Sequence, residues 1–526
     1  MRNWRLVTVA ALAGAVMVVG AGAGAQAAQP ALWVQHVQNH PGGISNGVRA
    51  RLAAPKVRVN GAVSPAIAEL NNVQMNTDSD PPLPQNETSV AYRPSNPLVA
   101  VAASNDYVGD GDWIGRTTDG GVTWSSTFKD PKTSVGTRCF GGDPSVVYSV
   151  RDGAFYLSTL CFFGAGESEV QVWRSSDDGA TWTDSTQASL VITNRSGDGW
   201  DQTVFYDKEL LAVDNNPGSP HYGRLYTTYI KFHVTPPNGR SDYCPVQAAY
   251  TDLVPSNPAE ASWTNVAVVP DDPAGNGRGA GANQWAMPVV DSTGALDIAY
   301  ALEDCNSGYD RAFFFRRSTD GGNTFSLPVQ IDKPGQFADN PNPRDKLAPK
   351  KFRAPISPSL AFNPVTGSLS FAYQNNVNRQ TSGADISLQQ SHDLGATWSD
   401  ARTISVTSGG AAAPNDQYFP WLSVDEAGNL HAVWYDNRND PNNRLMETFQ
   451  AFSSNDGSTW QNWNISSVAW NPDDAFFSCG CFIGDYNAIA ASTQVVYPVW
   501  TDGRNSAGKP LGQTDIFTNV EIGGIP

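Results

Sequence analysis

Apolar and polar positions alternate along most of this chain in short runs that end at glycine, proline, asparagine or aspartate. Within VAYRP (90–94), LHAVWYD (430–436) and YPVWTD (497–502) every second residue is apolar. That two-residue period predicts strands with one face on a core. An apolar strand, a turn and a second strand rich in aromatic and β-branched residues recur as a unit. Copies begin near Glu87, Asp143, Glu209, Trp285, Pro355, Phe419 and Asp485. They predict seven inner hairpins.

A second pattern, Ser/Thr-x-Asp-x-Gly-x-Thr-Trp, punctuates the first. It occurs at 117–124 (TTDGGVTW), 175–182 (SSDDGATW), 318–325 (STDGGNTF), 391–398 (SHDLGATW) and 453–460 (SSNDGSTW). The key positions are Asp119, Asp177, Asp320, Asp393 and Asn455, separated by 58, 143, 73 and 62 residues. The long step spans two repeats, with an eroded copy at 251–264. The carboxylate can accept hydrogen bonds from backbone N–H groups just ahead of it, and glycine supplies a positive φ. These carboxylates are therefore read as structural. The last hairpin is followed by DIFTNVEI (515–522) and lacks a fourth strand, which residues 72–76 (NVQMN) can donate. Closing the ring in this way removes open sheet edges. The expected fold is an all-β, seven-bladed β-propeller over 71–526, with a six-bladed ring plus an extra hairpin as the alternative.

The chain opens with Arg2, Arg5 and an apolar run to Gly20, then Ala25-Gln26-Ala27. This predicts a signal peptide at 1–27 and a secreted, extracellular protein, with no membrane span after its removal. Residues 28–70 read as an extension packed loosely outside the ring. The formal charge of -17 argues against nucleic acid as a partner. Six cysteines in an oxidising compartment suggest disulfides. Cys139 and Cys161 bracket one hairpin, and Cys244 and Cys305 sit at corresponding ends of neighbouring blades. That leaves Cys479 and Cys481 for a small ring; other pairings stay open.

Five such turns at blade spacing resemble the Asp-box (BNR) repeats of the sialidase superfamily, whose propellers carry them on the outer rim. GDYNAIAAS (484–492) and VWTDGR (499–504) add a likeness to secreted bacterial sialidase-like proteins. The resemblance implies a carbohydrate site on the face opposite the boxes. A catalytic sialidase would bring a Tyr nucleophile with a Glu partner, an acid/base Asp and three arginines that clamp the substrate carboxylate. No Phe/Tyr-Arg-Ile-Pro motif precedes Thr117; the nearest string is Phe352-Arg353-Ala354-Pro355.

Topology places the starts of first strands and the ends of second strands on that opposite face. The starts supply Glu87, Asp143, Glu209 and Asp485, with Tyr486 as the phenol beside them. The ends supply Asp106, Asp304, Asp436, Arg438, Asp502 and Arg504. Convergent carboxylates raise one another's pKa, as glycoside chemistry requires, and a guanidinium suits a substrate carboxylate. The candidate catalytic set is therefore Tyr486, Asp485, Glu209, Glu87 and Asp143. The candidate binding set is Arg353, Arg438, Arg504, Asp436 and Asp502. In the two Trp-x-Asp-x-Arg strings, 434–438 and 500–504, the acid and arginine could instead pair and tie neighbouring blades. Asp106, Asp110 and Asp112 form an acidic loop that could hold calcium; no other cofactor is expected. The six histidines have no metal-ligand spacing, and no nucleophile elbow or phosphate loop occurs. Asn86-Glu87-Thr88 fits a glycosylation acceptor.

The leading expectation is a sialidase-like exo-glycoside hydrolase acting on acidic sugars, monomeric, with a glycoconjugate as partner. The alternatives are a non-catalytic propeller that binds carbohydrate or a surface protein, and a polysaccharide lyase on the same scaffold.

Overall fold

The computed structural model describes residues 30–53, 68–69, 72–77, 83–184, 188–252, 262–271, 281–340, 347–475, 482–506 and 513–522. The signal-peptide expectation, the eroded turn and the Cys479/Cys481 pairing lie outside the described residues, wholly or mostly.

Seven four-stranded antiparallel sheets form a ring, a seven-bladed β-propeller. The first strands, Gln85–Arg93, Ser145–Ser149, Val204–Val213, Asn283–Val290, Ser359–Phe362, Gln417–Val424 and Ala488–Ala491, line the axis. Seryl hydroxyls stitch neighbouring first strands together. Val146 N donates to Ser89 Oγ, Leu211 N to Ser145 Oγ, and Leu422 N to Ser359 Oγ, each at 2.9–3.0 Å. The last blade takes its outer strand from Asn72–Gln74, paired with Asp515–Asn519, so the two chain regions close the ring as expected. Thr88 Oγ1 completes the closure by donating to the Val499 carbonyl. The core between blades falls into several apolar clusters rich in large rings, with Trp113, Trp173, Trp285, Trp434 and Trp500 fully enclosed.

The five recurrent turns join third to fourth strands, at the far end from the starts of the first strands. In the second, Asp177 Oδ1 accepts from Thr181 N at 2.9 Å and Asp177 Oδ2 from Thr181 Oγ1 at 2.6 Å. Ser175 Oγ donates to Asp177 and accepts from Gly179 N. The same set recurs at Asp119, Asp320 and Asp393, and Asn455 accepts from Thr459 N in its place. Two successive left-handed residues make the reversal, Asp178 at φ 59° and Gly179 at φ 83°. The carboxylates serve the turns.

The described part of the extension, residues 30–53, packs against the ring, not loosely outside it. Helix α1 (Leu32–Asn39) puts Trp33, Val34 and Val37 on one face against Phe162, Phe205 and Phe232 of blades two and three. Pro41 and two glycines stop it. Helix α2 (Asn46–Ala53) is capped by Ser45, whose Oγ accepts from Gly47 N. The expectation failed because a short helix whose apolar face is covered by a distant blade has little periodic signal of its own. Cys139–Cys161 and Cys244–Cys305 are disulfides, the first closing a hairpin end and the second tying blade three to blade four.

Candidate functional site

The site grows from one backbone irregularity repeated around the axis. Near the start of the first strand, five blades hold a non-glycine residue in the left-handed region: Glu87, Asp143, Lys208, Trp285 and Phe419, at φ 53–60°. In four of these blades the ladder skips a step there, between Asn86 and Ser89, Asp207 and Leu210, Gln284 and Met287, and Tyr418 and Trp421. Such a bulge re-aims one side chain and stores roughly 1–3 kcal/mol of strain per residue. The surrounding ring holds the strain in place.

Lys208 is the hub. Its Nζ lies 3.0 Å from Glu87 Oε1 and 3.4 Å from both Asp143 Oδ2 and Asp485 Oδ2. Its ammonium also stands over the Tyr486 and Trp285 rings, 4.9 and 5.1 Å from their centroids. Asn105 Nδ2 donates to Glu87 Oε2 at 2.5 Å, and Arg353 Nε lies 3.5 Å from Asp485 Oδ1. Every member of this group is buried.

Burial, the Asp143 carboxylate and the Asp485 carboxylate push the Glu87 carboxyl well above the ordinary range; Lys208 only partly opposes them. A hydrogen bond with Asp143 acts in the same direction. Asp207 is pushed up to about 7 by burial and Asp143, against Lys208 and the Ser45 N–H. Glu209 is also raised, by burial and then by Asp143. For Lys208 burial works against the charge, but Asp143, Glu87 and Asp485 outweigh it and hold the amine protonated.

Of the expected catalytic set, Glu87, Asp143, Asp485 and Tyr486 come together. Glu209 lies one residue off the hub; neither of its carboxyl oxygens has a hydrogen bond. It lines a recess with Leu210, Trp285, Met287, Trp421 and Tyr486 that has room for about one water molecule. Burial and four surrounding carboxylates raise the Tyr486 phenol well above its ordinary range, which opposes a tyrosinate nucleophile. Lys208 and Asp207 were missed. Counting alternation through the strand singles out Glu209, whereas the bulge turns Lys208 inward.

The expected arginine clamp does not assemble. Arg353 reaches the cluster. Arg438 instead binds Asp436 at 2.6 Å and the Val406 carbonyl, and Arg504 binds Asp502 at 2.8 Å and the hydroxyl of Ser467. Trp434 Nε1 and Trp500 Nε1 donate to the same two carboxylates. Each string is a closed unit that ties neighbouring blades, with no ring left to stack on a sugar. Asp304 accepts from the backbone of Asn306 and Ser307. In the acidic loop, Asp106 accepts from Gln85 and Gly109 N, Asp110 pairs with Arg138, and Asp112 accepts from Thr159. Each has a protein partner in this structure; among the described residues no group of three or more acids, histidines or cysteines is set to hold a metal. Asn86, the glycosylation candidate, is buried beside Asn105 and closed to modification in the folded ring.

The N-terminal segment roofs the cluster. Ser45 N donates to Asp207 Oδ2 at 2.8 Å, the Pro41 carbonyl accepts from Arg353, and Gly47 packs on Glu87. Arg51 closes the far side by donating to the carbonyls of Asp106, Gly109 and Gly111, with its guanidinium 4.5 Å from the Tyr107 ring centroid.

A seven-bladed propeller with a charged cluster at one mouth of its axis is therefore the class to which this chain belongs. No family model matches it. A xyloglucanase from a Paenibacillus species is 27% identical over 235 residues, 43% of this chain and 19% of that protein. The chain thus spans about a fifth of that relative's length. Among solved structures, Trypanosoma rangeli sialidase with the inhibitor DANA aligns at a TM-score of 0.42 and 14% identity, covering 74% of this chain and 57% of that one. The GH93 α-L-arabinofuranosidase of Fusarium graminearum with arabinobiose aligns at 0.43 and 12%, covering 70% and 92%. Likeness at this distance assigns no activity.

Proposed function

We propose that this protein is a secreted glycan-active propeller, a glycoside hydrolase whose chemistry sits at the Lys208 cluster. One observation carries the reading: the carboxyl groups of Glu87, Asp143 and Asp485 converge on Lys208 Nζ, at 3.0, 3.4 and 3.4 Å. A pair of carboxyl groups converging on one point is what acid/base cleavage of a glycosidic bond requires. Glu87 gives its proton to the glycosidic oxygen as the C–O bond breaks. A water adds to the sugar carbon, and its proton passes to Asp485. Lys208 and Arg353 balance the charge on Asp485 through the step. The two disulfides fit an oxidising compartment.

Charge selects the substrate. Among the described residues, Lys208 and Arg353 are the cations that pair with Glu87, Asp143 and Asp485. An acidic sugar would add a carboxylate where the clamp arginines are committed elsewhere. The expectation of an acidic sugar therefore gives way to a neutral one. The names of the distant relatives, a xyloglucanase and an arabinofuranosidase, guide the choice of probes.

The test is product release, by protein in which the cluster has been opened to solvent, from arabinan, xylan and xyloglucan oligosaccharides, with sialosides and uronate glycans alongside. Neutral sugar release that falls at least a hundredfold in Glu87→Gln is the expected result. Release from sialosides would contradict the substrate assignment, and unsaturated products would mark elimination instead. A non-catalytic binding propeller is the second reading, favoured by the complete burial of the cluster. It is distinguished by retention of a glycan with no product.

A further inference from the structure

A site built for an extended ligand should open to solvent, and this one does not. The recess beside it has room for about one water, too little for a sugar, so the route to test is the mouth of the axis. That entrance is filled by residues 41–51. We propose that this segment is an inhibitory stopper, and that the cluster meets glycan only when the stopper is withdrawn. The proposal rests on the glycan reading for its ligand but not for its mechanics.

Three features argue for it. First, the segment makes the contacts a ligand would make. The Ser45 N–H occupies Asp207 as a sugar hydroxyl would, and the Pro41 carbonyl takes a hydrogen bond from Arg353. Second, the amino end of α2 points at the acids, where its partial positive charge is stabilised by carboxylates. Gly47 sits so close to Glu87 that a Cβ would lie 3.0 Å from Oε2. Third, the fit depends on residues without side chains. A methyl on Gly42 would overlap the Ser307 carbonyl, and one on Gly43 would overlap His36 and the Cys305 carbonyl. Both glycines lie between α1, anchored by Trp33, and α2, anchored by Arg51. A hinge between two anchors suits a segment that must seat tightly and also leave.

Gly42→Ala in the full-length chain tests the stopper without touching any cluster residue. Amide exchange over 41–48 reports seating, trypsin cleavage at Arg49 and Arg51 reports release, and carbodiimide coupling of glycine ethyl ester to Glu87 reports access. The natural chain should exchange slowly over 41–48 and leave Glu87 unmodified. Gly42→Ala should exchange at least tenfold faster, be cut at Arg49 or Arg51, and couple at Glu87. Arg51→Ala, which removes the far anchor, should do the same and carries the test if Gly42→Ala does not fold. Opening that exposes Glu87 but yields no binding or cleavage of neutral oligosaccharides upholds the stopper and defeats the glycan reading. Opening that leaves Glu87 unmodified overturns the stopper. So does rapid coupling in the natural chain, or slow exchange in both variants.

Discussion

Lys208 Nζ sits 3.0 Å from Glu87 Oε1, and both side chains are shut away from solvent. Removing the cation from this buried cluster leaves the carboxylates around it uncompensated, at a cost of about 3–5 kcal/mol. Lys208→Met should lose stability on that scale in urea denaturation. The loss should be larger at pH 8 than at pH 5, because the stranded carboxyls can stay protonated at the lower pH. A loss independent of pH would remove Lys208 from its role as hub.

Asp112 carries a pH signature of its own. Burial, opposed by the Thr159 hydroxyl, pushes its carboxyl up to about 7. Between about pH 4 and pH 7 the unfolded chain releases a proton that the folded chain retains, so this group lowers stability as pH rises through that window. Asp112→Asn abolishes the effect. On passing from pH 5 to pH 8 the variant should gain ~2–4 kcal/mol relative to the natural chain. Parallel melting curves would contradict this.

The recurrent turns are structural, so damage to one should stay local. Asp320 is held down at about 2: burial opposes this, but hydrogen bonds from the Thr324 side chain and backbone and from Ser318 outweigh it. The stabilisation is present above the ordinary carboxylate range and disappears as pH falls toward 2. Asp320→Ala should cost about 1–2 kcal/mol by chemical denaturation. Exchange over 41–48 should not change.

Arg438→Ala and Arg504→Ala separate the structural reading of the Trp-x-Asp-x-Arg strings from the clamp reading. Each removes the partner of a buried carboxylate and should destabilise by about 2–4 kcal/mol. Glycan affinity measured by calorimetry on the folded variants, each combined with Gly42→Ala, should stay within twofold. A tenfold loss with stability retained would restore the clamp.

Much of the ring was legible in the chain, for a physical reason. The turn Asp119-x-Gly121-x-Thr123 is local: its hydrogen bonds join residues at most four apart, so pattern and geometry coincide. The seven hairpins and the closing strand at Asn72–Gln74 followed from period-two alternation and from the need to cover an edge. The site was half legible. Glu87, Asp143 and Asp485 were found because topology sends the starts of first strands to one mouth. Lys208 was hidden by the bulge, which shifts the inward-facing position by one residue. For Arg438 and Arg504 the sequence offers both a clamp and a pair with Asp436 and Asp502, because spacing alone does not fix which way a guanidinium turns; the pair is what forms. The stopper was invisible, since its contacts with Asp207, Arg353 and Ser307 are set by distant chain segments.

Product release by the opened Gly42→Ala protein, followed across pH and repeated with Glu87→Gln added, tests the central claim most directly. Neutral oligosaccharides should be cleaved at a rate that declines as Glu87 loses its proton, and the added amide should abolish cleavage at every pH. Equal turnover with and without the Glu87 carboxyl, or none in a protein whose Glu87 is demonstrably accessible, would contradict it.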